Sequence, residues 1–145
     1  TIPMEIGELG ILEVISMEAQ NISGTLPPEL AKLPNLRIID YDFNRLTGTI
    51  PEDYYSLSAL EQLDLNNNFL TGTLSPAVGN LQYLIFLQLH LNRFTGTFPQ
   101  ELVDAPLLVA EFQRNNFFGT MPLCIGALNQ SIGSISCDCG PASGA

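Results

Sequence analysis

Ten side chains recur in two rows at a spacing close to 24 residues. They are acidic at one end of the rows and mixed at the other. The first row is Ser16, Asp40, Asp64, Gln88 and Glu111, and the second is Glu18, Asp42, Asn66, His90 and Gln113. If equal spacing sets them side by side on adjacent strands, Asp40, Asp42 and Asp64 crowd together, with Glu18 and Glu61 beside them. Adjacent strands lie about 4.8 Å apart. Two unit charges about 5 Å apart repel by roughly 0.8 kcal/mol in water, and by more where solvent is excluded. Selection for stability does not favour such crowding, whereas a cationic ligand, such as a lysine- or arginine-rich peptide, relieves it. The competing reading is a solvated acidic face without a specific partner.

The other end of the rows carries Ile85, Phe86, Leu91 and Val109 among Gln88, His90 and Gln113. Apolar and aromatic groups set among polar ones have the character of a binding patch, unless neighbouring segments cover them. Carboxylate oxygens are calcium ligands, but no calcium-loop motif is present, so no metal is expected. His90 is the only histidine, and no nucleophile or paired base accompanies it. An open, shallow face should not raise one carboxylate's pKa above another's. The expectation is therefore a protein without catalytic residues or cofactors.

A second array is more regular. Threonine stands at 25, 49, 73, 97 and 120, and again at 47, 71 and 95, on either side of a recurring glycine. On a short strand, Thr25, Thr47, Thr49, Thr71, Thr73, Thr95 and Thr97 would form a two-column grid facing outward. Such grids resemble ice-binding surfaces. The plainer reading is that β-branched threonine suits a narrow second sheet.

A stack of like units must position these rows. Leu60, Leu63, Leu65, Asn68, Leu70, Gly72 and Leu74 are matched 24 residues upstream by Leu36, Ile39, Tyr41, Asn44, Leu46, Gly48 and Ile50. Downstream they are matched by Leu84, Leu87, Leu89, Asn92, Phe94, Gly96 and Phe98. A fixed period of this size means one coil per repeat. Coils begin at residues 12, 36, 60, 84 and 107, after a partial coil at 1–11. A cap follows at about 124–139, and a flexible tail at 140–145. One solenoid, 1–139, is expected. Leu-x-Leu alternation places two side chains inward on a strand. The asparagines at 44, 68, 92 and 115, with Gln20 in coil one, should bond the freed backbone of the bend. Glycine serves a tight approach, and the prolines at 3, 27, 51, 99 and 122 fix the chain after the second strand.

Composition agrees. Apolar residues make up 46% and charged residues 14%, which suits a continuous apolar interior. The net charge of −10 argues against nucleic acid and anionic membrane as partners. No apolar run approaches the roughly 20 residues of a membrane helix. Thr1-Ile2-Pro3 repeats Thr49-Ile50-Pro51, which suggests a piece of a longer protein, in which a kinase domain or membrane anchor is possible. Cys124, Cys137 and Cys139 cluster at the end. A disulfide from Cys124 to Cys137 or Cys139 would close the stack and point to an oxidising compartment. Asn21 and Asn129 head glycosylation tripeptides.

The segment Leu36–Pro51, LRIIDYDFNRLTGTIP, resembles the leucine-rich repeat family, in its plant-type 24-residue class, over residues 1 to about 128. Its Thr-Gly-Thr repeats and cysteine-bearing end resemble secreted or receptor-type members from algae and protists. The resemblance implies an α/β repeat solenoid. This is a right-handed superhelix with a concave parallel β-sheet and short helical or 3-10 turns on the convex side. It also implies a non-enzymatic recognition module that binds a protein or peptide, located extracellularly or at the cell surface. Inhibition of a secreted cell-wall hydrolase is a further implied role. The binding residues expected on the concave face are Glu18, Asp40, Asp42, Asp64, Asn66, Phe86, Gln88, His90, Glu111 and Gln113.

Overall fold

The structure, a computed structural model, describes residues 1–122 and the strand Ser134–Ile135. The three cysteines, the Asn129 tripeptide, the tail 140–145 and all of the cap except that strand lie outside the described residues.

The chain winds as a leucine-rich-repeat solenoid. Among the described residues, six parallel strands form the concave sheet in chain order: Val14–Ser16, Ile38–Asp40, Gln62–Asp64, Phe86–Gln88, Val109–Glu111 and Ser134–Ile135. Through the first five strands, Ile15, Ile39, Leu63, Leu87 and Ala110 are in register, and so are Ser16, Asp40, Asp64, Gln88 and Glu111. Linear spacing has become lateral neighbourhood.

The inward positions form one continuous core. Leu36, Ile39, Tyr41, Leu46, Leu60, Leu65, Leu70, Leu84, Leu87, Leu89 and Phe94 are fully buried. Burying one such side chain contributes about 1.5–3 kcal/mol. Coil one departs from the pattern. Met17 holds a leucine position yet is 38% exposed, because coil one lies at the edge of the described stack. Coils four and five fill their interior with rings. Phe117 lies 6.0, 4.6 and 5.9 Å from Phe94, Phe98 and Phe112. Tyr41 is buried with its hydroxyl unpartnered, and burial pushes that phenol up to about 12.

The asparagine ladder is in place. Asn68 Nδ2 donates to the carbonyls of Tyr41, Leu65 and Asn66 at 2.9, 3.2 and 2.9 Å, and its Oδ1 accepts the Leu46 N–H at 2.9 Å. Asn44, Asn92 and Asn115 make the same kinds of bond to the coils before them. One amide thus satisfies backbone groups of two coils at the bend, where no strand partner exists.

Among the described residues, five 3-10 turns back the convex side: Met4–Glu8, Pro28–Lys32, Glu52–Ser56, Pro76–Asn80 and Gln100–Asp104. Pro3, Pro27, Pro51 and Pro99 stand at their N-caps. Coil three has Ser75 there instead. Its hydroxyl oxygen accepts the Ala77 N–H at 3.1 Å, so the cap is made by a side chain rather than by a fixed φ.

Candidate functional site

On the concave face the acidic side chains differ sharply in how they are held. Asp40 accepts the Ser16 hydroxyl at 3.0 Å and the Asp42 N–H at 3.2 Å. Asp42 accepts the Phe43 N–H at 2.7 Å and the Asn67 amide at 3.3 Å. Asp64 has only the Asn66 N–H, at 3.2 Å, and is 9% exposed. No cation lies against it among the described residues. Burial, reinforced by the nearby Asp42, Asp40 and Glu111 carboxylates, pushes Asp64 up to about 7, against the lowering by the Asn66 N–H. The expectation that an open face leaves its carboxylates alike is therefore corrected: the neighbouring coils bury Asp64 from both sides.

Two further expectations change. Glu61 does not join the acidic crowd. The Arg37 guanidinium donates to both of its oxygens, at 2.9 and 3.0 Å, and reaches Glu13 at 3.8 Å. That hydrogen bond holds the Glu61 carboxyl below its usual range. The missed signal was Arg37 itself, 24 residues before Glu61 and after Glu13. Asn66 is only 2% exposed, and its Oδ1 accepts the His90 N–H at 3.1 Å. It braces the sheet instead of facing solvent.

At the other end, His90 Nδ1 lies 3.0 Å from Glu111 Oε2, and Gln88 Nε2 reaches the same oxygen at 3.4 Å. Phe86 is 37% exposed, Ile85, Val109, Leu91 and Gln113 are half-buried, and Glu18 is exposed. Register therefore brings Asp40, Asp64, Gln88 and Glu111 into one lateral row, with Glu18, Asp42, His90 and Gln113 in the row beside it. Among the described residues no group of three or more His, Cys, Asp or Glu is arranged to hold a metal ion.

The threonine face is built differently. Thr47, Thr71 and Thr95 are exposed, and each hydroxyl meets the carbonyl of the glycine one coil earlier, at 3.3, 3.2 and 3.4 Å. Thr25, Thr49 and Thr73 are exposed too, and their methyl groups rest on the glycines of the next coil. A Cβ added at Gly48, Gly72 or Gly96 would lie 3.0, 2.7 or 2.8 Å from that methyl carbon. Those glycines also have φ of 81°, 89° and 86°. Glycine is required twice over, for the left-handed backbone and for the threonine beside it. The fit is looser at Gly119, where an added Cβ would lie 3.6 Å from the Thr97 methyl carbon and the repeat shortens by one residue. Asn21, in the first glycosylation tripeptide, is exposed with φ 53°.

With this geometry in place, the likenesses to known proteins follow. The Leucine Rich Repeat family matches residues 35–57 and 59–81. Among solved structures, the Arabidopsis receptor kinase HAESA, in complex with the peptide hormone IDA and the co-receptor SERK1, is 34% identical. Its TM-score is 0.84, over 92% of this chain and 23% of that one. The plant peptide hormone receptor RGFR1, in complex with RGF2, is 31% identical with a TM-score of 0.82, over 83% of this chain and 20% of that one. A plant ice-binding protein is 31% identical with a TM-score of 0.75, over 80% of this chain and 37% of that one. No curated protein sequence matches. The chain belongs to the leucine-rich repeat family, in its plant-type class. It spans about a fifth of the length of these two receptor chains. No helix among the described residues is long and apolar enough to cross a membrane.

Proposed function

We propose that this solenoid is a non-enzymatic recognition module that binds a protein or peptide on its concave face, outside the cell. The observation that carries the reading is Asp64, a nine-tenths buried residue whose carboxyl has no cation beside it among the described residues. A lysine or arginine side chain of a ligand supplies the missing charge. Asp40 and Asp42 flank it, and Phe86, Gln88, His90, Glu111 and Gln113 contact the remainder of the ligand. The like-folded receptors HAESA, in complex with the peptide hormone IDA, and RGFR1, a peptide hormone receptor in complex with RGF2, support the same reading.

Binding a cation requires the ionised carboxylate. Because Asp64 is pushed up to about 7, affinity for a basic peptide rises as pH rises through neutrality and then levels off. The test is calorimetric titration with lysine- and arginine-rich peptides against the chain and its Asp40→Lys, Asp64→Lys variant. Loss of binding in the variant supports the reading, and unchanged affinity removes this face.

A second reading is favoured by the threonine columns. Uniform bonding of Thr47, Thr71 and Thr95, with the exposed methyl-bearing column beside them, gives a repeating surface of the kind that contacts ice. The likeness to a plant ice-binding protein agrees with it. It predicts thermal hysteresis in dilute solution, removed by Thr49→Lys with Thr73→Lys.

A further inference from the structure

Fifteen carboxylates face only five lysines and arginines in this chain, and the cations are unevenly placed. Arg37 is held by Glu61 and Glu13. Lys32 lines a convex groove together with Glu29 and Asp53. The other three, Arg45, Arg93 and Arg114, are exposed at the corner that follows the concave strand, next to the bracing Asn44, Asn92 and Asn115. Among the described residues, none of the three has a carboxylate within 4.0 Å. With acids in threefold excess, three unpaired arginines along one corner are not what a general solvated surface yields.

Large apolar side chains share that corner. Phe43 is 55% and Phe69 is 42% exposed. The Arg93 guanidinium lies 4.8 Å from the centre of the Phe69 ring, which holds both groups flat against the corner. Phe43, Leu91 and Arg114 occupy one position in coils two, four and five, with φ of 51°, 56° and 57°. Coils one and three put Ala19 and Asn67 there, with φ of 55° and 52°. The fold imposes a left-handed residue at this point, and a bulky side chain is strained in it. Phe43, Leu91 and Arg114 accept that strain without entering the core. Strain retained at exposed large side chains is a mark of a functional surface.

We propose that this corner, formed by Phe43, Arg45, Phe69, Leu91, Arg93 and Arg114, docks a second protein whose surface carries Asp and Glu side chains around an apolar centre. Arginine and aromatic side chains are the anchors of protein interfaces. Arg45 and Arg93 stand two coils apart in one column, so they match carboxylates about 10 Å apart. Asp42 and Glu18 lie beside the corner. They repel a uniformly charged polymer such as an acidic polysaccharide. A folded surface avoids that repulsion by setting a carboxylate opposite each arginine and none opposite Asp42.

The test measures binding of the chain to three immobilised probes: a glutamate–tyrosine copolymer, poly-glutamate and polygalacturonate. The copolymer is expected to bind about tenfold tighter than either polyanion, a difference set by the apolar contacts. Arg45→Glu with Arg93→Glu abolishes that binding, and Phe69→Ser erases the preference for the copolymer. Both variants keep the parent's melting temperature, since the altered side chains are exposed. Asp64→Asn, which removes the concave charge without burying a new one, leaves copolymer binding intact, which separates this surface from the concave one. No binding, indifference to the arginine reversals, or equal or tighter binding of polygalacturonate overturns the proposal.

Discussion

On the threonine face, Thr47, Thr71 and Thr95 are alike in residue, exposure and hydrogen bond. Across the concave strands the residues in register run Ser16, Asp40, Asp64, Gln88 and Glu111, no two neighbours alike except the aspartates. The same 24-residue repeat generated both surfaces. The threonines are constrained by the coil beside them, because the Thr25, Thr49 and Thr73 methyls rest on glycines and the Thr47, Thr71 and Thr95 hydroxyls on carbonyls. The concave side chains are mostly half-buried or buried and bond to one another and to nearby N–H groups, contacts that several residue types can make, so the fold leaves their identity open. Repetition here marks structural demand, and variation marks the room available for a ligand.

Four changes break or sharpen that contrast. The largest effect is expected from Asn68→Ala, beneath both surfaces. It orphans the Leu46 N–H and withdraws the donor shared by three carbonyls. A loss of about 3–4 kcal/mol in denaturant unfolding is expected. A loss below 1 kcal/mol would mean that the ladder is decorative.

Gly72→Ala comes next, at roughly 2 kcal/mol, from the positive φ and the Thr49 methyl together. Adding Thr49→Ser removes that methyl and should recover part of the loss, a coupling that a double-mutant cycle reads directly. Simple additivity would show that the threonine column is not set by glycine packing.

Asp64→Asn acts in the opposite direction. In the unfolded chain this carboxyl ionises near its ordinary value, while in the fold it is pushed up to about 7. The folded state therefore holds the proton more tightly, and stability falls as pH rises between those values. Removing the charge should raise the melting temperature at pH 8 by roughly 3–5 °C, a figure discounted for partial exposure. The gain should vanish below about pH 4. A gain that persists in acid would contradict the buried-carboxylate account.

The smallest effect is expected from Arg37→Ala. An exposed ion pair adds little, so the melting temperature should hold within about 1 °C, and any change should disappear in 1 M salt. A large shift would make the edge of the concave sheet a structural element.

Much of this was legible before any coordinates. The Asn68 ladder, the Leu63 and Leu65 core positions and the lateral row of Asp40 and Asp64 all follow from one period and two rules of side-chain direction. The polarity of each side chain was legible as well, but its accessibility was not. Asp64, Asn66 and Glu61 look equivalent in sequence. Depth between coils separates them into a buried carboxyl, a brace and half of an ion pair. The exposed Met17 was missed because a leucine position is buried only when another coil covers it. The corner of arginines and phenylalanines left no 24-residue signature, since its residues change from each coil to the next.

The sequence by itself determined the coil, its period and which side chains share a row, because these depend on local periodicity multiplied by stacking. Only the tertiary structure decided which carboxyl loses its water, which arginine finds a partner, and why threonine must lie next to glycine. Those outcomes depend on distances of a few ångströms between coils, and desolvation and van der Waals contact change steeply over that range.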